Sequence, residues 1–303
     1  MTTTFKLGEL TVGRIGYGTM RLGTQEPGFD ASVIHVWRAP ADRQASLAIL
    51  RRAIESGVNL IDTADAYALG ETEELIAEAL APYRDDIVIA TKVGAVHPTP
   101  TEWTPLGHPA YLRQQAELCL RRLKLDHIDL LQLHRIDPAF PLADQIGALS
   151  RLVSEGKARH IGLSEVSVDQ IRAAAEITPI ASVQNLYNLT HRDAENVVEY
   201  TAAQGIAFLP WFPVAAGAHA GATGALADIA AELAVTPVQA SLAWLLHRSP
   251  TILPIPGTTS PAHLDQNIAA ACIQLSDNQF ERLSAIAPPT KYAAAPQSTA
   301  SAD

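Results

Sequence analysis

The sequence predicts an α/β fold, a single (β/α)8 barrel, and the prediction rests on alternation and count. Short apolar segments rich in Val, Ile and Leu recur along the 303 residues, interleaved with longer segments that carry apolar residues at helical spacing. This alternation is typical of parallel α/β proteins. Eight candidate strands with helices between them favour a closed barrel, and a 48% hydrophobic chain of this length can bury its core.

The predicted elements begin with a hairpin and continue with the barrel strands. TFKLGELTVG at 4–13 is predicted to turn at Gly8-Glu9 and to close the amino-terminal end, or bottom, of the barrel. The predicted strands cover 14–20, 58–62, 86–92, 127–134, 158–164, 180–185, 205–211 and 251–257.

Four of the intervening segments have clear helical periodicity. They cover 41–57, 71–83, 109–125 and 141–156. Gly57 and Gly156 end two of them, as expected of left-handed caps. We expect one domain over 1–287, followed by a small, polar, proline-marked tail at 288–303 that is predicted to be disordered.

Composition narrows the class of partner. The formal net charge of −10 disfavours a nucleic acid or an anionic membrane surface, so a small molecule is the expected partner. Cys119 and Cys272 lie far apart in the sequence with no CxxC pattern, which predicts neither a disulfide framework nor a metal site. No signal-peptide segment or membrane-length apolar run is present, so we expect a soluble, cytoplasmic protein whose oligomeric state stays open.

Two predicted connections are long for a barrel, 21–41 and 95–109. Long loops in compact domains are often functional, and both are expected to rise over the carboxyl-terminal mouth of the barrel. Trp37 and Trp103 in these loops are therefore candidates for the substrate pocket, together with His134. The alternative is that such aromatic residues simply lie on the surface.

Polar residues recur at the carboxyl ends of the predicted strands. They are Asp62, Lys92, His134, Ser164 and Gln184, with Trp211 at a further strand end and Tyr67 in the loop after Asp62. In a barrel these ends converge on one pocket. Each residue alone has an ordinary structural explanation, such as a cap, a surface charge or a satisfied core histidine. Their shared placement favours a catalytic site.

The residue types suit acid-base chemistry. A phenol has a pKa of about 10, and an adjacent ammonium favours its ionised form, so Lys92 is expected to lower the pKa of Tyr67. Asp62 is placed to support the buried charge of Lys92. His134 can present an N–H that stabilises developing negative charge on a carbonyl oxygen.

Three motifs resemble the catalytic motifs of the aldo-keto reductase superfamily: IDTADAY at 61–67, IATK at 89–92 and LLQLHR at 130–135. The resemblance implies a catalytic tetrad of Asp62, Tyr67, Lys92 and His134. It also implies that Tyr67 is the general acid in aldehyde or ketone reduction and the base in alcohol oxidation. The roles argued from charge agree with it.

Further motifs resemble the superfamily's cofactor segments. In HIGLSEVS, Ser164 matches a residue that holds the nicotinamide carboxamide, whereas Glu165 replaces an Asn and can only accept hydrogen bonds. Gln184 in SVQNLYN matches a second carboxamide contact, and Trp211 in LPWFP stands where a Tyr commonly stacks on the nicotinamide ring. The resemblance implies these cofactor-binding residues: Thr19, Met20, Asp62, Ser164, Glu165, Gln184, Trp211, Phe212, Pro213, Gly257, Thr258, Thr259, His263, Gln266 and Asn267.

The last of these segments, PIPGTTSPAHLDQN at 254–267, resembles the binding site for the adenosine phosphate. Ser260 and Pro261 form a helix start that can bind an anion. Gly257 and His263 stand where NADPH-selective members often carry Lys and Arg. NADP(H) is favoured, with NAD(H) or dual use as the alternative.

The leading hypothesis is a metal-independent enzyme that transfers hydride reversibly between a nicotinamide and an aldehyde or ketone. One alternative is a cofactor-binding accessory or regulatory subunit with the same fold and slow redox activity. Another is a (β/α)8 lyase or isomerase that needs no nicotinamide. The sequence leaves the physiological substrate open.

Overall fold

The computed structural model describes residues 4–23 and 37–286, and the predicted barrel is confirmed there. Its strands, in chain order, are β1 (Thr4–Leu7), β2 (Leu10–Gly13), β3 (Tyr17–Gly18), β4 (Leu60–Asp62), β5 (Val88–Val93), β6 (Ala95–Val96), β7 (Thr104–Pro105), β8 (Ile128–Leu133), β9 (Ala158–Ser164), β10 (Ile180–Gln184) and β11 (Ala207–Phe208). The barrel sheet has the order β11-β10-β9-β8-β5-β4-β3, with every pair parallel. Every residue of β5 and β8 is buried, which explains why these strands read as nearly continuous apolar runs.

The eighth predicted strand, 251–257, is not a regular strand, and this part of the prediction is wrong. The segment closes the ring with a few hydrogen bonds. On the β11 side Phe208 N donates to Thr251 O and Leu253 N donates to Phe208 O, and on the other side Gly16 N donates to Pro254 O at 2.9 Å. Proline has no backbone N–H, so Pro254 and Pro256 interrupt any regular ladder.

The seam also depends on two glycines. A Cβ on Gly257 would lie 2.5 Å from Gly18 O, and a Cβ on Gly18 would lie 2.6 Å from Ile255 O. Only residues without a side chain allow the two backbones to come this close. The two strands that flank this segment, β3 and β11, are shorter than the predicted strands 14–20 and 205–211. A glycine and a proline lie next to them, since Gly16 precedes β3 and Pro210 follows β11.

The hairpin of β1 and β2 confirms the prediction for the bottom of the barrel. Leu7 pairs with Leu10 across a two-residue turn, in which Gly8 has a φ of +59°. Leu7 and Val12 are fully buried and pack against residues at the starts of the barrel strands, including Leu60 and Val88. The hairpin therefore closes the amino-terminal end, opposite the strand ends that carry the polar residues.

The helices surround the sheet. They are α1 (Arg43–Glu55), α2 (Glu71–Leu80), α3 (Pro109–Leu123), α4 (Leu142–Ser154), α5 (Val168–Ala175), α6 (Glu195–Gln204), α7 (Ala225–Glu232), α8 (Pro237–Arg248), α9 (Pro261–Ala269) and α10 (Asp277–Ser284). Gly57 and Gly156 have φ values of +91° and +74°, so both predicted left-handed helix ends are confirmed. None of the helices in 4–23 and 37–286 could by itself cross a bilayer, and only α7 with α8, bent by 93°, has sufficient length and apolar composition as a pair.

Two predicted regions fall partly or wholly outside the described residues. The tail at 288–303 lies outside them, as do residues 24–36 of the first long loop. The second long loop is described in full and contains an unpredicted antiparallel ribbon, in which β6 pairs with β7. This ribbon fixes the course of the chain over the barrel mouth.

Candidate active site

Four polar side chains meet at the carboxyl ends of β4, β5 and β8. Lys92 Nζ donates to Asp62 Oδ2 at 2.6 Å and lies 3.4 Å from the hydroxyl oxygen of Tyr67. The ring centre of His134 lies 6.0 Å from that of Tyr67, with the two planes nearly perpendicular. Each of the four residues is at most 6% exposed. The structure therefore brings the predicted tetrad together in one buried site.

Asp62 is the centre of a larger hydrogen-bond network. Its Oδ1 accepts hydrogen bonds from Gln132 Nε2 at 3.2 Å and from Gln184 Nε2 at 2.9 Å. Its backbone oxygen accepts from both the backbone N and the Oγ1 of Thr19. Both carboxylate oxygens are thus bonded, and Gln184 and Thr19, predicted as cofactor residues, are tied directly to the tetrad.

Burial and charge act in opposite directions on Tyr67. Burial raises the pKa of the Tyr67 phenol above its usual value, and the negative charge of Asp62 adds to this rise. The ammonium of Lys92 lowers the pKa of Tyr67, as the sequence predicted, and Arg135 lowers it further. The net direction is upward, so the expected lowering is corrected: in the free protein the desolvation of the phenolate outweighs its attraction to Lys92.

Lys92 and His134 hold opposite protonation states. Burial opposes the charge of Lys92, but the nearby Asp62 and Tyr67 outweigh it, so the net effect raises the pKa of Lys92. Burial lowers the pKa of His134 well below its usual value, and the cations of Arg135 and Lys92 add to that lowering. At neutral pH the site therefore contains an ammonium beside a neutral imidazole.

The chain turns sharply after Tyr67. Ala68 and Leu69 have φ values of +48° and +53°, and Gly70 follows at +98°. Left-handed geometry costs a residue with a side chain about 1 kcal/mol or more, so this turn is strained at two successive positions. Met20 packs against Tyr67 and Ala68, which places this predicted cofactor residue beside the tetrad.

The ribbon of β6 and β7 places aromatic side chains over the tetrad. Its loop brings the Trp103 ring centre to 5.5 Å from that of His134 and 6.5 Å from that of Tyr67. Trp37 lies 6.1 Å from the ring of His97, which itself contacts Trp103. Trp103 therefore lies at the tetrad, whereas within residues 4–23 and 37–286 the ring contact of Trp37 is with His97.

On the other side of the mouth, Arg135 and Glu165 surround the end of β9. Arg135 Nη1 donates to Ser164 Oγ at 3.0 Å and to His134 O at 2.5 Å. Glu165 has a φ of +54°, and its Oε1 accepts from Trp211 Nε1 at 2.5 Å and from Leu186 N at 2.7 Å. The carboxylate therefore holds the indole of Trp211 in one orientation.

The remaining cofactor candidates form two groups beside this side of the mouth. The Phe212 ring centre lies 4.6 Å from a ring of Trp211, and Pro213 is buried next to it. At the seam, Tyr17 OH donates to Thr258 O, and Ser260 caps α9 by accepting from His263 N. In the same segment Thr259 and His263 are exposed, Gln266 is half-buried and Asn267 is buried. Gly257 contacts Gly18 instead of presenting a side chain.

Sequence reasoning missed three residues of the site. Gln132 is a polar side chain inside the otherwise apolar end of β8, and this position was its only signal. Arg135 directly follows His134, and its identity alone does not show that it turns back toward Ser164. His97 gave no pattern of its own, because its place depends on the unpredicted ribbon.

Comparison with known proteins identifies the family of this chain. A family model described as the aldo/keto reductase family matches residues 14–288. An uncharacterized oxidoreductase of Schizosaccharomyces pombe is 45% identical over 280 residues, 92% of this chain and 88% of that protein. A pyridoxine 4-dehydrogenase of Escherichia coli is 40% identical over 291 residues, 94% of this chain and 98% of that protein.

A solved structure gives the same answer at the level of the fold. The aldo/keto reductase from Klebsiella pneumoniae in complex with NADP and acetate aligns with a TM-score of 0.78 at 30% identity, covering 96% of this chain and 97% of that chain. The resemblance found in the sequence motifs is therefore confirmed. This chain belongs to the aldo-keto reductase family.

Proposed function

We propose that this chain reduces aldehydes or ketones with NADPH and oxidises the corresponding alcohols with NADP+, with Tyr67 as general acid and base. The observation that carries the proposal is the position of Lys92 Nζ, 2.6 Å from Asp62 Oδ2 and 3.4 Å from the Tyr67 hydroxyl in a buried site. A metal is not needed for this chemistry.

The proton step uses groups already in contact. Tyr67 donates its hydroxyl proton to the carbonyl oxygen, and the phenolate that forms is stabilised by the ammonium of Lys92. Asp62 balances that ammonium, so the site carries a neutralised ion pair before Tyr67 ionises. A reduced nicotinamide, when bound, supplies the hydride. In the oxidation direction the phenolate of Tyr67 takes the proton back from the alcohol.

His134 orients the carbonyl. Its lowered pKa keeps the imidazole neutral, so one ring nitrogen carries a proton and the other does not. Nδ1 is buried with no hydrogen-bond partner among residues 4–23 and 37–286. We assign the proton to Nε2, because this tautomer leaves no buried donor unpaired and directs the N–H toward the substrate oxygen.

The polar groups of the mouth fit a nicotinamide carboxamide, which has one acceptor oxygen and one donor NH2 group. Ser164 and Gln184 lie directly opposite each other in the β9-β10 pair, and each is 2% exposed. We propose that they hold the carboxamide, with Trp211 beside the nicotinamide ring. The segment 257–267 would bind the adenosine phosphate.

NADP(H) is the preferred coenzyme in this proposal because the Klebsiella pneumoniae neighbour is in complex with NADP. NAD(H) or dual use stays the alternative, since the exposed side chain at 263 is a histidine and position 257 has no side chain.

For the substrate, we extend the name of the Escherichia coli relative, a pyridoxine 4-dehydrogenase, to a testable class. The rings of Trp103 and His134 lie beside Tyr67, and His97 contacts Trp103, a lining that favours flat ring substrates. Pyridoxal and other planar aromatic aldehydes are the substrates we expect, with pyridoxine as the alcohol in the reverse direction.

The test compares Tyr67→Phe with the wild type on pyridoxal, benzaldehyde and an aliphatic aldehyde. Loss of the general acid should lower kcat/KM about 100-fold or more for every substrate while NADPH binding is retained. Tyr200→Phe is the matched control, because Tyr200 lies on α6 and contacts Arg172 rather than the tetrad. Equal turnover by Tyr67→Phe and wild type would refute the acid-base assignment, and equal kcat/KM for flat and aliphatic aldehydes would refute the substrate class.

A further inference from the structure

We propose that Arg135 is a positioning residue for the nicotinamide carboxamide. Its guanidinium donates a hydrogen bond to Ser164 Oγ, and the Ser164 hydroxyl is thereby directed to donate its own proton toward the barrel mouth. The inference rests on the proposed function and deepens it. It assigns a role in cofactor binding to a residue for which the resemblance implies none.

The position of Arg135 is unusual for a cation. It is half-buried at the mouth, and its hydrogen bonds go to two uncharged oxygens, Ser164 Oγ at 3.0 Å and His134 O at 2.5 Å. In the described part of the chain no carboxylate lies within ion-pair distance of it, and Glu165 acts on it only at longer range. Burial accordingly lowers the pKa of Arg135. With no carboxylate beside it among the described residues, the guanidinium is held by its hydrogen bonds.

That role follows from the chemistry of the contact. A guanidinium has only donors, so Ser164 Oγ can act only as an acceptor toward it. The hydroxyl proton of Ser164 must then point elsewhere, and within residues 4–23 and 37–286 Arg135 is the only hydrogen-bond partner of that oxygen. Ser164 is therefore left with a proton to donate, and the carboxamide oxygen is the acceptor it suits.

Asp62 orients Gln184 in a corresponding way, except that Asp62 is an acceptor whereas Arg135 is a donor. Asp62 Oδ1 can only accept, so the contact at 2.9 Å must come from the NH2 group of Gln184. Among residues 4–23 and 37–286 no donor contacts the amide oxygen of Gln184, which can therefore accept from the carboxamide NH2. Ser164 and Gln184 are direct partners across β9 and β10. Arg135 and Asp62 therefore place the donor hydroxyl of Ser164 beside the acceptor oxygen of Gln184.

Cofactor analogues that change one end of the carboxamide test the assignment by binding alone. The thionicotinamide analogue of NADP+ replaces the oxygen with sulfur, a poor acceptor, and the 3-acetylpyridine analogue keeps the oxygen but lacks the NH2 group. Dissociation constants for NADP+ and both analogues are measured by calorimetry with wild type, Arg135→Met and Arg135→Lys. Arg113→Met is the control, because Arg113 pairs with Glu155 on the surface.

We expect Arg135→Met to weaken NADP+ and the acetylpyridine analogue about tenfold each, the effect of one good hydrogen bond, and to weaken the thionicotinamide analogue less than about twofold. Arg135→Lys, a donor-only side chain, should restore most of the loss. Gln184→Met should show the complementary pattern, with its penalty absent for the acetylpyridine analogue. Arg113→Met should bind all three as the wild type does.

An equal loss for all three dinucleotides in Arg135→Met would overturn the proposal, because the guanidinium would then act through general charge or folding. If Arg135→Met does not fold, Arg135→Gln against Arg135→Lys gives the same comparison, since a glutamine oxygen can take the Ser164 proton and a lysine cannot. Failure of the wild type to bind any of the three would instead refute the proposed function.

Discussion

Replacing Lys92 with Met removes a buried charge and tests the tetrad as a structural and a chemical unit. Lys92 is fully buried and donates to Asp62 Oδ2 at 2.6 Å and to Thr63 O at 2.9 Å. Met preserves much of the volume but not the charge. Asp62 would keep the amide donors of Gln132 and Gln184 and lose its cation.

The expected loss of stability follows from the charge of Asp62, which Lys92→Met leaves buried without its cation. Removing one partner of a buried ion pair costs about 3–5 kcal/mol, so Lys92→Met should lower the free energy of unfolding by that amount. For chains somewhat shorter than this one, each kcal/mol of lost stability lowers Tm by about 2–4 °C, so Tm should fall by roughly 6–20 °C. The double variant Asp62→Leu/Lys92→Met leaves no unpaired charge, and it should recover most of the lost stability.

Activity should not recover with stability. Lys92 lowers the pKa of Tyr67, so Lys92→Met should raise the pKa of Tyr67 further and shift alcohol oxidation, which needs the phenolate, to higher pH. Denaturant unfolding followed by circular dichroism gives the stability, and pH profiles of kcat/KM give the chemistry. The half-exposed surface pair of Lys157 with Glu117 supplies the control, because ion pairs that reach water contribute little, and Lys157→Met should unfold within about 1 kcal/mol of the wild type. A Lys92→Met variant as stable as the wild type, or a double variant no more stable than Lys92→Met, would contradict a buried ion pair that matters for stability.

Three further predictions concern pH, backbone strain and coenzyme choice. Burial lowers the pKa of His219 to about 4, whereas the pKa in the unfolded chain is about 6.5. Between these pH values the unfolded state binds more protons than the folded state. The free energy of unfolding should therefore fall by about 3 kcal/mol as the pH drops from about 6.5 to about 4. A denaturation series should show this slope reduced in His219→Gln, and an unchanged slope would contradict it. Ala68→Gly should stabilise the chain by about 0.5–1 kcal/mol because φ is +48° at this position. The control, Ala173→Gly within α5, should destabilise the chain by about 1 kcal/mol. A loss of stability in both variants would exclude strain at Ala68. His263→Arg, exposed on the first turn of α9, should tighten NADPH relative to NADH, and an unchanged affinity ratio in fluorescence titration would remove that position from the phosphate site.

The predictable part of the fold is the part in which burial acts on whole strands. β8 covers Ile128–Leu133, within one residue of the predicted 127–134 at each end, and all six of its residues are buried. The segment 251–257 failed for the opposite reason. Its apolar side chains suit a strand, but two prolines lack the N–H groups that a ladder requires.

The tetrad was predictable because barrel geometry brings strand ends together whatever the loops do. Its surroundings were not. The ribbon at Thr104–Pro105 carries no alternating pattern, so the contact of Trp103 with His134 depends on a tertiary pairing that local sequence does not encode. The net pKa of Tyr67 also required the structure, since the sequence identifies the neighbouring charge but not the extent of burial.

The glycine seam links the barrel's integrity to its ligand. Thr19 lies just past β3 on one side of the seam and Thr258 lies on the other, and the backbones between them are joined by close glycine contacts and few hydrogen bonds. A dinucleotide held by both sides would bridge this join of the ring. Ring closure and ligand affinity would then be thermodynamically linked, so a mutation that loosens the join would weaken binding without touching the ligand.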